Sequence, residues 1–169
     1  MGTATLLQTL FRHKAWANDQ LFAELAKLDV EGHAKERQAA IRLLNHIHVV
    51  DRIFAAHLAG EPHGYTATNT RETPGLEALR DAVATTDCWY VEHVGPLDAG
   101  QLTATIDFTF TDGDAGRMSR EEMLVHVIGH GNYHRGAVGR IMSQLGVPPP
   151  RDLLTAYLHR AEPVRRNRV

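Results

Sequence analysis

Apolar positions recur at three- and four-residue steps through four long stretches of this chain. In residues 4–28, Leu7, Leu10, Phe11, Ala17, Leu21, Leu25 and Leu28 share one helical face, and Gly32 interrupts the pattern. A second stretch runs from Ala34 to Leu58, with Ala40, Leu43, Ile47, Val50, Phe54 and Leu58 on its stripe; Gly60-Glu61-Pro62 ends it. Residues 61–74 are rich in Thr, Gly and Pro and read as loop. Thr73-Pro74 predicts an N-cap and a first-turn proline for a third helix, which turns Leu76, Leu79, Val83, Tyr90 and Val94 inward and stops at Gly95-Pro96. Ser119 and Glu122 have capping-box spacing and open a fourth helix reaching about Leu145, closed by Gly146 and Pro148-Pro149-Pro150.

Between the third and fourth helices the period changes. Thr103 to Phe110 is β-branched or aromatic at many positions, and Asp112 to Gly116 is turn-like, which predicts a short hairpin packed on the helices. Residues 151–160 read as one more short helix. The expected fold is all-α: an antiparallel four-helix bundle whose one crossover, between helices three and four, contains the β-hairpin. Residues 1–160 form a single domain on this reading, and 161–169, with Arg165, Arg166 and Arg168, form a basic, frayed tail.

Composition narrows the function classes. A chain of 169 residues that is 43% hydrophobic can bury one sizeable core. A net charge of −2 gives no basic field for nucleic acid. No apolar run reaches the roughly 18 residues of a membrane span. A single cysteine, Cys88, leaves no intramolecular disulfide and reads as a small, at least partly buried residue. The N-terminus lacks a signal-peptide pattern, so a cytoplasmic location is expected.

Histidine stands out, with 11 residues that cluster at His46 and His48 and at His126, His130 and His134. At about 100° per residue, His134 falls about 20° and His130 about 60° from Val127, both on the core stripe of the fourth helix. His126 lies about 100° away, at its edge. A histidine pair at i and i+4 sets two imidazoles one turn apart on one face, where both can reach an ion at about 2.0–2.1 Å. The third ligand must come from another helix. On the second helix the spacing favours His46 over His48 by only about 30°, which leaves both open. His13, His33, His57, His63, His93 and His159 read as surface or boundary residues. H-E-x-x-H, E-x-x-H, P-loop, G-x-G-x-x-G and G-x-S-x-G patterns are all absent, which argues against zincin peptidases, di-iron bundles, nucleotide-binding folds and serine hydrolases.

Four segments carry a resemblance. They are Arg12-His13-Lys14-Ala15-Trp16-Ala17-Asn18; Leu44 to Phe54, containing Asn45-His46 and Asp51-Arg52; Asp107 to Gly116; and His126-Val127-Ile128-Gly129-His130-Gly131-Asn132-Tyr133-His134-Arg135-Gly136. Together the chain resembles the DinB/YfiT-like family of metalloenzymes over nearly its whole length, with the H-x-x-x-H-R-G block the most specific part. Phe54 stands where that family usually has tryptophan, and Gly129 where asparagine is common. The resemblance implies a four-helix bundle, often dimeric, with a three-histidine metal site. Register through Asn45 and Asp51 then selects His46 to join His130 and His134.

Three neutral imidazoles leave a divalent ion, zinc or nickel being expected, its full charge and an open position, which is a catalytic arrangement. Such an ion can lower the pKa of a water or hold a thiol as thiolate. Relatives implied by the resemblance include transferases that use low-molecular-weight bacterial thiols, and metal-dependent hydrolases. The expectation is therefore a metal-dependent transferase that joins a small thiol to an electrophile. The alternatives are a hydrolase and a non-catalytic, stress-related metal-binding bundle. Asp51, His126 and Tyr133, together with Asn45, are the residues expected to orient an imidazole or meet substrate. Arg135 is expected either to bind a substrate carboxylate or to form a structural salt bridge.

Overall fold

A computed structural model describes residues 2–166 of the chain. Among the described residues it forms six α-helices, a terminal 3-10 turn and one two-stranded antiparallel hairpin. The long helices are α1 (Thr3–Leu25), α2 (Ala34–Ala59), α3 (Leu76–Val94) and α5 (Arg120–Gln144); the short ones are α4 (Ala99–Thr103) and α6 (Leu154–Ala161). Strands β1 (Thr105–Thr109) and β2 (Ala115–Ser119) pair with Phe108 opposite Gly116.

Local chemistry explains most boundaries. Ser119 accepts from the Glu122 backbone N–H at 3.2 Å, and the Glu122 carboxylate accepts from Ser119 N–H at 2.7 Å, so the expected capping box opens α5. Gly60 and Gly146 adopt φ of +72°, which an L side chain adopts only with strain, and each follows the end of a long helix. Three expectations are corrected. Helix α3 starts at Leu76 with Gly75 as N-cap, not at Thr73-Pro74, because the Thr73 hydroxyl instead accepts from the Arg42 guanidinium. Ala115 and Gly116 belong to β2 rather than to a turn. Helix α4 was not foreseen, although its capping box, Asp98 with Gln101, is visible in the sequence. Residues 163–166 form the 3-10 turn, and the remainder of the basic segment lies outside the described residues.

The apolar interior divides into two clusters. One gathers Leu7, Phe11, Phe54, Tyr90, Leu124 and Val127; the other gathers Leu21, Phe22, Ile41, Leu79, Val138 and Met142. Each long helix passes from one cluster to the other. Helices α1 and α5 start in the first, and α2 and α3 start in the second. So α1 and α5 run one way, and α2 and α3 run the other. The long crossover is therefore the 60–75 segment joining the like-directed α2 and α3, rather than the connection that holds the hairpin. Helix α1 packs on α3 and α5, and α2 packs on α5 and α3.

Candidate metal centre

A layer of buried polar side chains separates the two apolar clusters. Lys14 from α1 is fully buried, and its ammonium donates to Asp51 of α2 at 2.6 Å and to Asp87 of α3 at 2.7 Å. Asn18 donates to Asp87 at 2.7 Å, and the Arg135 guanidinium donates to Asn132 and to Asp152. Neighbouring Asp51 and Asp87 hold the Lys14 ammonium above its usual range against the opposing effect of burial. Burial pushes Asp51 up to about 6, a shift that Lys14 opposes and the Asp87 carboxylate reinforces. Burial would also raise Asp152, but His13, 3.1 Å away, and the hydrogen bond from Arg135 pull it down to about 2.

The histidine cluster lies beside this layer, where α2 meets α5. His46, His130 and His134 each offer a ring nitrogen, and the three atoms lie within 4.8 Å of one another. Ring centroids are 4.9 Å apart for His46 and His130, 4.7 Å for His46 and His134, and 4.5 Å for His130 and His134, all edge to face. The His46 and His130 Nε2 atoms are 3.0 Å apart. Two nitrogens at about 2.0–2.1 Å from one ion are themselves roughly 2.9–3.4 Å apart at octahedral or tetrahedral angles. The His46–His130 spacing therefore fits a shared ion, and His134 stands close enough to join it.

The surroundings fix the ligand atom of His46. Its Nδ1–H donates to the Thr68 carbonyl at 2.7 Å, which leaves the Nε2 lone pair facing His130. Asn45 donates to Asn69 and to Thr70 Oγ1, and so holds the loop that presents Thr68. Asn45 thus reaches the site through that loop rather than by touching an imidazole. Burial, and then the neighbouring His134 and His46, push His130 down to about 3. Burial and His46 lower His134 as well. Imidazoles whose ring nitrogens converge are the donor set that a divalent transition ion needs.

The other expected residues divide. His126 sits 5.7 Å from His130 and 4.7 Å from Phe54, ring to ring, on the wall of a cavity that also touches His46 and His130. Tyr133 meets the His134 ring edge-on at 5.1 Å and is 77% exposed. Asp51 is drawn into the polar layer, so its carboxylate engages Lys14 instead of an imidazole. His48 has no ligand partner in the cluster; burial and Arg52 push it down to about 4. Arg135 is a structural ion-pair residue, nearly fully buried against Asp152. Cys88 is exposed, contrary to expectation. His57 was read as bland, yet it lines the same cavity as His46; its spacing of 11 from His46, three helical turns, was the available signal.

No helix among the described residues is long and apolar enough to cross a membrane. Comparison with known proteins agrees with the residue-level resemblance. The chain is 22% identical over 147 residues to Protein DinB of Bacillus subtilis (strain 168), an alignment covering 81% of this chain and 84% of that protein. A model of the DinB family matches residues 1–167. A match over nearly the whole chain, on a helical frame that gathers the three histidines, means that this chain belongs to the DinB family.

Proposed function

We propose that His46, His130 and His134 bind one divalent transition-metal ion, zinc or nickel, and that the protein is a transferase joining a low-molecular-weight thiol to a small electrophile. The observation carrying this reading is the convergence of three imidazole nitrogens within 4.8 Å, from helices whose histidines are 84 residues apart. On this reading the four long helices form a four-helix bundle, with the site on the α2–α5 seam. Three imidazoles add no negative charge, so the ion would supply strong Lewis acidity and leave room for a thiol.

The chain's own residues would divide the remaining work. Thr68 and Asn45 hold His46 in the ligand-ready tautomer. The sulfur lone pair forms a bond to the electrophilic carbon, and the bond to the leaving group breaks with its electron pair. The thiol proton goes to His126, whose partial burial lowers its pKa and keeps it neutral and able to accept at neutral pH. Tyr133, exposed against His134, stands where it can contact the thiol or its carrier. Asp51 would act only indirectly, by neutralising Lys14. The resemblance supports thiol transfer and a homodimer, and the single cysteine fits a reducing, cytoplasmic location.

Two measurements test this. Elemental analysis of protein purified without an affinity tag is expected to give close to one equivalent of zinc or nickel per chain. Metal-loaded protein is then incubated with a panel of electrophiles, with and without each bacterial thiol. The expected result is thiol-dependent consumption that disappears in His134→Ala. Thiol-independent hydrolysis would replace the transferase with a hydrolase, and no turnover with stoichiometric metal would leave a metal-binding protein. Light scattering that finds a monomer at micromolar concentration removes the dimer.

A further inference from the structure

The hairpin and helix α2 build a small cavity directly beside the histidine cluster. Its volume is about 190 Å³. His46 and His130 form one end, and His57 and His126 line the rest together with Thr68 and Thr111. The apolar wall is Val50, Ile53, Phe54, Phe108 and Phe110. No lysine, arginine, aspartate or glutamate lines it. The larger clefts elsewhere on the molecule have charged walls, such as Arg52 with Glu61 or Arg135 with Asp152, and do not reach the three histidines.

The aromatic wall is built by a sequence detail. Phe108 and Phe110 are two residues apart on β1 and its extension, so they point to the same face, and their rings lie 4.8 Å apart. Opposite Phe108 in the ladder is Gly116, where an added Cβ would fall within 2.5 Å of the Phe108 ring. Glycine therefore lets both rings lie down across the hairpin and face α2. Phe108 meets His57 at 5.0 Å and Phe54 at 6.0 Å, centroid to centroid. Phe110, on the rim, is 47% exposed and has only Phe108 as an aromatic neighbour.

We propose that this cavity binds the uncharged, apolar body of the substrate, one aromatic ring or an aliphatic group of that size, and directs its polar reacting atom at the histidine cluster. This rests on the metal-centre reading and specifies the electrophile for it. The size argument is direct: an apolar cavity of about 150 Å³ accommodates benzene, so about 190 Å³ takes one ring. The aromatic wall favours a ring by offset or edge-on packing. The lack of a counter-charge excludes ionised bodies, whose desolvation nothing here offsets. Its walls also offer a hydrophilic thiol cofactor no charged partner.

The test has two arms on the full chain. In the first, metal-free protein is titrated with benzyl alcohol and with 3-hydroxypropionate while backbone amide shifts are followed by NMR. Benzyl alcohol is expected to move the His57, Phe108 and Phe110 amides, and 3-hydroxypropionate to leave them in place. In the second, cobalt-loaded protein is titrated with benzyl mercaptan and with 3-mercaptopropionate, which carry the same metal-seeking head on a neutral or a charged body. The visible cobalt bands are expected to report at least tenfold tighter binding of benzyl mercaptan. Phe110→Ala, a half-exposed position that leaves the fold intact, and Phe108→Leu should each reduce that preference to threefold or less with unchanged cobalt stoichiometry. Equal affinities for the two thiols, or a preference untouched by both variants, overturn the cavity proposal. Failure to bind cobalt sinks the metal-centre reading instead, and the first arm still decides whether the cavity selects neutral rings.

Discussion

Helix α2 places His46 and Asp51 five residues apart, and the two side chains enter opposite kinds of polar environment. Asp51 joins a layer in which charge meets counter-charge: one ammonium between two carboxylates, with Asn18 and Arg135 alongside. His46 joins a cluster in which like meets like, with two Nε2 atoms 3.0 Å apart and the His130 Nδ1 buried without a partner. A buried polar group is normally hydrogen-bonded, and buried charge is normally paired. The Lys14 layer meets that requirement from within the chain, apart from one oxygen each of Asp51 and Asp152. The histidine cluster does not meet it, because the His130 Nδ1 stays without a partner. A polar group completed by its neighbours serves the fold, and one whose ring nitrogens converge is open to a ligand.

Substitutions on the two sides should therefore fail differently. Lys14→Met strands two buried carboxylates, and urea denaturation is expected to show a loss of about 3–5 kcal/mol. A loss below about 1 kcal/mol would mean that the layer is not closed as described. In metal-free protein His130→Ala should change stability by no more than about 1 kcal/mol, because it removes a half-buried ring and strands no buried charge. The same variant should abolish tight metal binding in a competitive chelator titration. Asn45→Ala tests the connection from the loop to His46. It is expected to weaken metal affinity about 10–100-fold, as loss of a group that orients a ligand does.

The smallest effect concerns pH, where the two regions pull in opposite directions. In the folded chain His130 is pushed down to about 3 and His48 to about 4, from a usual 6.5. Between those values the unfolded chain binds more protons. These histidines thus contribute stability that is full above about 6.5 and is lost as pH falls. Asp51 is raised from 3.8 to about 6, so its contribution is present below about 3.8 and is lost as pH rises through 6. Urea midpoints of metal-free protein should fall on acidification from neutral to about pH 4.5, and fall less in His130→Ala. An identical slope in wild type and variant would show that His130 is no more buried in the folded chain than in the unfolded one.

The features legible in the sequence were those set by neighbours a few residues away. Helical periodicity located α1, α2, α3 and α5 to within a few residues, the Ser119–Glu122 box marked the start of α5, and Gly146 marked its end. The i, i+4 spacing of His130 and His134 also follows from helix geometry alone. At Thr73 local propensity lost to a longer-range bond with Arg42, and the predicted cap moved to Gly75.

Contacts between distant segments decided the rest. Spacing separated His46 from His48 only weakly, because both lie near the edge of the α2 stripe. It is the packing of α2 on α5 that sets His46 Nε2 against His130 and keeps His48 out of the cluster. No local pattern marks Lys14 as buried; its partners Asp51 and Asp87 come from α2 and α3, 37 and 73 residues away. His57 gained its place at the cavity only when the hairpin laid Phe108 against it. Periodicity reports which face of a helix is buried, because burial depends on apolar area. Which partner a polar side chain finds on that face depends on the relative placement of whole helices, and that information appears only once the chain has folded.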